Sequence, residues 1–343
     1  MPSRARKYIR RWKRSLIKER VEEVAAVGLA VDESLRVKKH VIEPEILTGN
    51  EKRICIVTGT HGDELEGQHV CYEVNRTIKE NPDCLHGIVE VFPALNPLGV
   101  DSITRGIPMF DLDMNRIFPG DENGYAIEQV AAKIVNNIAG ADLCIDIHAS
   151  NIFLMEIPQA RVNINTARDL LPLAGRLNLD YIWVHESSTV LESTLAYSLN
   201  SINVPTVVVE MGVGMRITKS YTRQLTDGIF CLLKDLGVWS GEVITPRDPI
   251  VSTDGEVGFV NADHPGIFVP DVAHLDMVKE GQVIGKILNP LLGTVEEELT
   301  APISGLVFTL REYPVVSCGS LIARVLGGSY RRFSEGKLSE GEM

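Results

Sequence analysis

The run "ICIVTGTHGDE" (residues 54–64) decides how this chain is read. It opens as a buried strand: Ile54, Cys55, Ile56 and Val57 are apolar without interruption, and Gly59 ends them. It then delivers His61, Asp63 and Glu64. An imidazole and two carboxylates at the exit of an apolar strand are costly to hold there unless something uses them. In open α/β sheets such exits are where ligands bind, because sites gather at the carboxyl ends of the strands.

Outward from this run, strand-like and helix-like segments alternate. "GIVEVFPALN" (87–96), "DLCIDIHAS" (142–150), "YIWVHES" (181–187) and "TVVVEMG" (206–212) read as strands. "ELEGQHVCYEVNRTIKE" (64–80) reads as a helix with Val70, Val74 and Ile78 on one face, stopped by Asn81-Pro82. "AIEQVAAKIVNNIAG" (126–140), "TARDLLPLAGRLNL" (166–179), a short segment around Leu195–Leu199 and "KSYTRQLTDGIFCLLKDLGVW" (219–239) are the other helices. Near-continuous Val/Ile strands between helices predict a mainly parallel sheet covered on both faces. From Gly241 the texture changes to short β-like runs broken by Gly and Pro, which predicts a separate small β domain. The expected boundaries are a basic arm and lead-in (1–44), a catalytic domain (45–240), the β domain (241–328) and a flexible polar tail (329–343).

Composition bounds the function. The chain has 343 residues, 44% hydrophobic and 23% charged, with net charge −12 and pI near 5.2, so nonspecific nucleic-acid binding by its body is not expected. No apolar run reaches the roughly 18–20 residues that cross a bilayer, and the start lacks the apolar core of a secretory signal. Six scattered cysteines without a CxxC pair point to reduced thiols and a cytoplasmic protein. The first twenty residues are strongly basic, with Tyr8, Ile9, Trp12 and Leu16 at helical spacing. Packing on the acidic body or on a neighbouring subunit is favoured over membrane contact, since the rest of the chain carries the compensating charge. A homo-oligomer is expected.

Three strand exits carry ionisable groups: His61 with Glu64, His148 after "LCIDI", and Glu210 at the end of "TVVVE". His61 and Glu64 are one helical turn apart, so both can reach one ion. With His148 they make two imidazoles and one carboxylate, the three-ligand shell of a catalytic zinc. Glu210 would take a proton from the water and pass it to a leaving nitrogen. Each piece alone has a structural alternative, since HxxE arises by chance and a lone histidine is more often a satisfied core residue. His40, His69, His86, His264 and His274 keep that structural reading, and His185 is the outside candidate for a substrate contact. The loop "RGIPMFDLDMNRIFPG" (105–120) offers Arg105, Asp111, Asp113, Asn115 and Arg116. It could hold a carboxylate through Asn115 and a guanidinium fork, or be a solvated loop with an Arg–Asp ion pair.

Taken together and in order, "HGDE", "DLDMNRIFPG", "DIHAS" and "VVVEMG" resemble the zinc carboxypeptidase-like superfamily, in its succinylglutamate desuccinylase/aspartoacylase branch, over about residues 45–240. The resemblance implies zinc, one per chain, on His61, Glu64 and His148, and Glu210 as general base. It implies Asn115 and Arg116 as holders of the substrate carboxylate, Arg105 as the group polarising the scissile carbonyl, and Asp113 as the carboxylate orienting a ligand histidine. The implied fold is an α/β/α sandwich on a mixed sheet followed by a small barrel-like β domain. The implied activity is removal of an acetyl- or succinyl-type group from a small N-acyl amino acid or amine. A peptide carboxypeptidase and a catalytically lapsed binding protein are the alternatives. The β domain itself resembles a biotinyl/lipoyl-type barrel, with Ala301-Pro302 and Gly305 at its turn. The preceding "GTVEEELTAP" has no lysine, so no cofactor attachment is expected there.

Overall fold

The structure, a computed structural model, describes residues 16–186, 192–328 and 331–335. An antiparallel hairpin, β1 (Ile17–Gly28) and β2 (Ser34–Pro44), leads into β3 (Arg53–Thr58), α1 (Glu66–Glu80) and β4 (Ile88–Phe92). The short α2 (Pro97–Ser102) starts the long loop that α3 (Ala126–Ile138) closes, and β5 (Leu143–His148) follows. Next come β6 (Leu154–Asn163), α4 (Ala167–Ala174), β7 (Tyr181–His185), α5 (Leu195–Ser201), β8 (Thr206–Gly212) and α6 (Lys219–Asp235). The sheet runs β1-β2-β4-β3-β5-β8-β6. Strands β4, β3, β5 and β8 are parallel, while β2 and β6 flank them antiparallel, so the sheet is mixed.

The opening run shows why the central strands are apolar throughout. Ile54 and Ile56 face one core with Val70, Val74 and Ile78 of α1, and with α4 and α6. Cys55 and Val57 face the other, with Ile127, Val130 and Ile134 of α3 and Leu195 of α5. Both faces of β3 are dry, so period-2 alternation disappears. Each of these buried aliphatic side chains contributes roughly 1.5–3 kcal/mol by leaving water. Four of the six cysteines are buried, including Cys55 and Cys144 in β3 and β5.

The remaining strands are β9 (Ile250–Thr253), β10 (Val257–Asn261), β11 (Gly266–Pro270), β12 (Met277–Val278), β13 (Val283–Asn289), β14 (Thr294–Thr300), β15 (Gly305–Arg311), β16 (Val315–Val316), β17 (Leu321–Gly327) and β18 (Arg331–Arg332). β14-β13-β11-β16 form a separate antiparallel sheet, and β10, β12, β15 and β17 complete a barrel-like unit around Phe268, Ile284, Ile287, Val307 and Ile322. The large sheet continues into this unit, because β15 pairs with β6 through Thr309 opposite Glu156. That ladder brings the β unit against the strand exits.

The helical spacing of Tyr8, Ile9 and Trp12 lies outside the described residues, which begin at 16; the end of the basic stretch, Ile17 to Arg20, belongs to β1, where Arg20 pairs with Glu43 at 2.8 Å. One expectation is corrected. The polar tail was read as flexible from 329. Instead Arg331 and Arg332 pair with β9, and Phe333 packs on Gly175, where a Cβ would lie 2.6 Å from its ring. Residues 336–343 lie outside the described residues.

Candidate metal centre and active-site chamber

The turn after β3 is shaped by close backbone contact. A Cβ on Gly62 would sit 1.9 Å from the Gly99 carbonyl carbon, so only glycine lets this turn lie on α2. The Gly62 amide donates to Thr104 O at 3.0 Å. The turn that carries His61 and Glu64 is thereby tied to the loop that begins at Arg105.

His61, Glu64 and His148 converge, and all three are buried. One ligand atom from each lies within 4.8 Å of the others. His61 Nδ1 is 2.6 Å from Glu64 Oε1, and His148 Nδ1 is 3.0 Å from Glu64 Oε2. The outward nitrogens have carboxylates of their own: His61 Nε2 meets Asp113 at 3.1 Å and His148 Nε2 meets Asp146 at 3.2 Å. In the neutral imidazoles a proton on each Nε2 would leave Nδ1, the nitrogen beside Glu64, as the atom able to ligate an ion.

The electrostatics fit a cation. Burial alone would lower both imidazoles, but Asp113 and Glu64 outweigh it at His61, and Asp146 and Glu64 at His148, so both lie above their ordinary value. Burial would raise Glu64, but His148 and His61 bring it down to about 2. Burial would likewise raise Asp113, and contact with His61 outweighs it, so it falls below the carboxylate range. Glu64, Asp113, Asp146 and Glu210 are four carboxylates around two imidazoles, and Glu64, Asp146 and both histidines are buried. The surplus of buried negative charge, with two nitrogens and one carboxylate facing inward, suits a divalent ion such as zinc.

Glu210 sits opposite His148 in the β5–β8 ladder. Its carboxylate lines the chamber, within the electrostatic reach of Arg161 and His148 but without a hydrogen bond to either. Burial pushes it up to about 7, against the pull of Arg161 and His148. Arg105 Nη1 reaches Glu64 Oε1 at 3.1 Å and its Nε reaches Asp113 at 3.4 Å. Asp113 also accepts from Asn115 N at 2.9 Å, so it gathers His61, Arg105 and Asn115. Asn115 Oδ1 accepts from Leu195 N at the start of α5, and Arg116 Nη1 donates to Asn115 O. Both side chains line the same chamber, of about 1330 Å³, and so does His185. Every predicted site residue except Asp113 is on its wall, and Asp113 is bonded to one that is. The five histidines given a structural reading do not line it.

Sequence reasoning missed several residues. Asp146 precedes His148 by two, so in an extended strand both face the same side, and "DIH" carried that signal. A second cluster had no local signal. Glu156 of β6 accepts from Arg161 Nη2 at 2.9 and 3.1 Å, from Gln159 Nε2 at 3.0 Å, and from Arg324 of β17.

The sequence profile of the succinylglutamate desuccinylase/aspartoacylase catalytic domain matches residues 50–236. The chain belongs to the succinylglutamate desuccinylase/aspartoacylase family. The matched segment begins just before β3 and ends with α6, so it holds every strand exit described above. An N-alpha-acetyl-L-2,4-diaminobutyric acid deacetylase of Halomonas elongata is 28% identical over 276 residues, covering 77% of this chain and 79% of its own. A succinylglutamate desuccinylase/aspartoacylase structure from Rhodobacter sphaeroides superposes with TM-score 0.75 at 22% identity, over 90% of this chain and 95% of its own. The product-bound ectoine utilization protein EutE (DoeB) from Ruegeria pomeroyi gives 0.77 at 20% identity, over 92% and 96%. These two show that the family fold, with its C-terminal β unit, extends over nearly the whole chain.

Proposed function

We propose that this protein is a zinc-dependent amidohydrolase that removes an acyl group from a small N-acyl amino acid or related amine. The observation that carries the reading is the convergence of His61, Glu64 and His148 beneath Glu210. The deacetylase name of the Halomonas relative supports the same reaction class.

His61, Glu64 and His148 would hold the ion, with Asp113 and Asp146 fixing the two imidazoles from behind. Zinc, when bound, supplies Lewis acidity and a water acidic enough to be a nucleophile near neutral pH. Glu210 accepts the proton lost by the attacking water and returns it to the leaving nitrogen, so the amide C–N bond breaks to a carboxylate and an amine. Arg105 donates to the carbonyl oxygen as negative charge develops there. Asn115 and Arg116 hold the amino-acid carboxylate, and the loop they share with Asp113 fixes that end of the substrate relative to His61. The β unit walls the chamber through Asp254, Phe259 and Arg324, which favours compact substrates over long peptides.

The test is a panel of N-acyl amino acids assayed for free amine, with and without chelator. Activity should vanish with chelator and return with zinc. Glu210→Gln should lose about 10²- to 10⁴-fold in kcat while retaining its metal. Full activity in Glu210→Gln would remove the general base from this account.

A further inference from the structure

The β14-β13-β11-β16 sheet buries one face in the barrel-like core and turns the other to solvent. Alternation along each strand decides which side chains go where. Phe268 of β11 pairs with Ile287 of β13, Val316 of β16 pairs with Gly266, and these three large side chains point into the core. Their neighbours point outward. Ile267 pairs with Leu288 on one side and with Val315 on the other, and Leu288 pairs with Val295 of β14. The bulge at Ile287 and Leu288 brings Val295 to the same face as Glu298. The four strands therefore line up Val295, Leu288, Ile267 and Val315 in one row on the solvent side. A sheet with one wet face ordinarily places polar residues there. Here Val295 is 56% exposed and Val315 is 49% exposed, with Leu288 and Ile267 half-buried between them.

The apolar surface continues along the strands in both directions. Val269, two residues from Ile267, is exposed on the same face. At the other end, the β13–β14 turn carries Leu291, 89% exposed, and Leu292. That turn is a fixed one. Leu291 N and Leu292 N both donate to Asn289 Oδ1, at 3.1 and 3.2 Å, and Gly293 N donates to Asn289 O at 2.9 Å. A single exposed leucine is ordinary, whereas a contiguous apolar patch on a soluble domain marks a contact surface.

Three observations select a second copy of this chain as the occupant. The row is nearly a palindrome: from either edge it reads Val, a longer aliphatic, a longer aliphatic, Val. A two-fold axis along the strands, between β13 and β11, lays Leu288 on the partner's Ile267 and Val295 on the partner's Val315, with the two sheets about 10 Å apart. The area also suffices. At on the order of 100 Å² for a whole aliphatic side chain, the exposed fractions of these residues with Lys286 and Glu298 come to roughly 500–600 Å² per copy, at the lower bound of about 600 Å² per partner for a standard interface. Finally, the charges beside the row cancel, because Lys286 and Glu298 stand 3.7 Å apart. A chain of net charge −12 meets its own copy at least electrostatic cost where the local charge cancels.

We propose that the outer face of β14-β13-β11-β16 is the interface of a two-fold dimer of this chain, with β13 and β11 at its centre. The β unit joins the large sheet through β15, which belongs to its other sheet, so the dimer leaves the chamber wall untouched. The proposal does not depend on the hydrolase reading.

The test uses the full chain. Sedimentation velocity at about 100 µM, above the ~µM Kd of the weaker interfaces of this size, should give twice the 37.8 kDa of one chain. Val295→Asp sets an unpaired carboxylate against the partner's Val315 twice in each dimer, and should raise Kd at least about 100-fold. Val315→Lys alone should also weaken the dimer. Combining Val295→Asp with Val315→Lys should restore Kd to within about tenfold of the parent. Within one chain the two positions lie three strands, or roughly 14 Å, apart, so the rescue arises only across the interface. Both positions are exposed, and circular dichroism checks that each variant folds. Hydrogen exchange of the unsubstituted protein reads the same face: the amides of residues 290–295 should exchange more slowly as protein concentration rises. A monomer at about 100 µM overturns the proposal, whatever else binds the face. A dimer that neither single substitution weakens lies on another surface and overturns it too. A larger assembly that Val295→Asp divides supports it.

Discussion

Replacing Glu156 by Gln tests whether the charge cluster joining the two β systems is a true buried ion group. The side chain is 1% exposed and accepts from Arg161, Arg324 and Gln159. Burial would raise this carboxyl, and Arg161 and Arg324 outweigh it, so it ionises below its ordinary value. The amide is nearly isosteric, so packing is kept while one charge is lost. Two largely buried guanidinium groups then face an NH₂ group and no counter-ion. Removing one partner of a buried pair costs about 3–5 kcal/mol. For a chain of this size that lowers Tm by roughly 4–10 °C. Urea titration followed by fluorescence of the tryptophans measures it, with Trp183 beside the cluster as reporter. Because the folded-state pKa is depressed, this stabilisation is present above the ordinary carboxyl value near 4.5 and is lost as pH falls below it, so the two proteins should converge in acid. Adding Arg324→Met to Glu156→Gln should cost less than the sum of the single changes. A loss under about 1 kcal/mol, or strict additivity, would mean that water reaches the cluster and that it is not a buried ion group.

Asp146→Asn should weaken zinc affinity about 10- to 100-fold in chelator competition, because His148 loses the carboxylate on its outer nitrogen. An unchanged affinity would make Asp146 a bystander. His185 is held near 4 by burial and by Arg161, against an ordinary value of 6.5. Its unfolded form therefore binds a proton before the folded form does. Stability is whole above about 6.5 and falls as pH drops towards 4, by on the order of 2–3 kcal/mol. His185→Asn should flatten that part of the stability–pH curve, and a curve parallel to the parent's would refute the assignment.

The central sheet was legible because β3, β5 and β8 are largely buried on both faces, which writes near-continuous apolar runs, interrupted in β5 by Asp146, with an ionisable residue at or just past the end of each. The residues singled out at those exits meet in space for the same reason, since adjacent parallel strands bring their ends together. The β1–β2 hairpin was not legible. It is an edge hairpin whose first half, Lys18 to Val21, is exposed on both sides, and such a run has the charge of a solvated arm. β6 was hidden by Pro158 and by its polar chamber-facing residues, which break the apolar pattern at the bulge. The Glu156–Arg324 contact spans 168 positions and joins the two units, so no local pattern could announce it.

Metal content is the most direct measurement of the central claim. Protein purified without chelator, or reloaded and desalted, should carry close to one zinc per chain by elemental analysis, and His148→Ala should carry less than a tenth of that. If both proteins keep the same trace amount after reloading, the two imidazoles and Glu64 do not hold an ion together, and the hydrolase account fails with them.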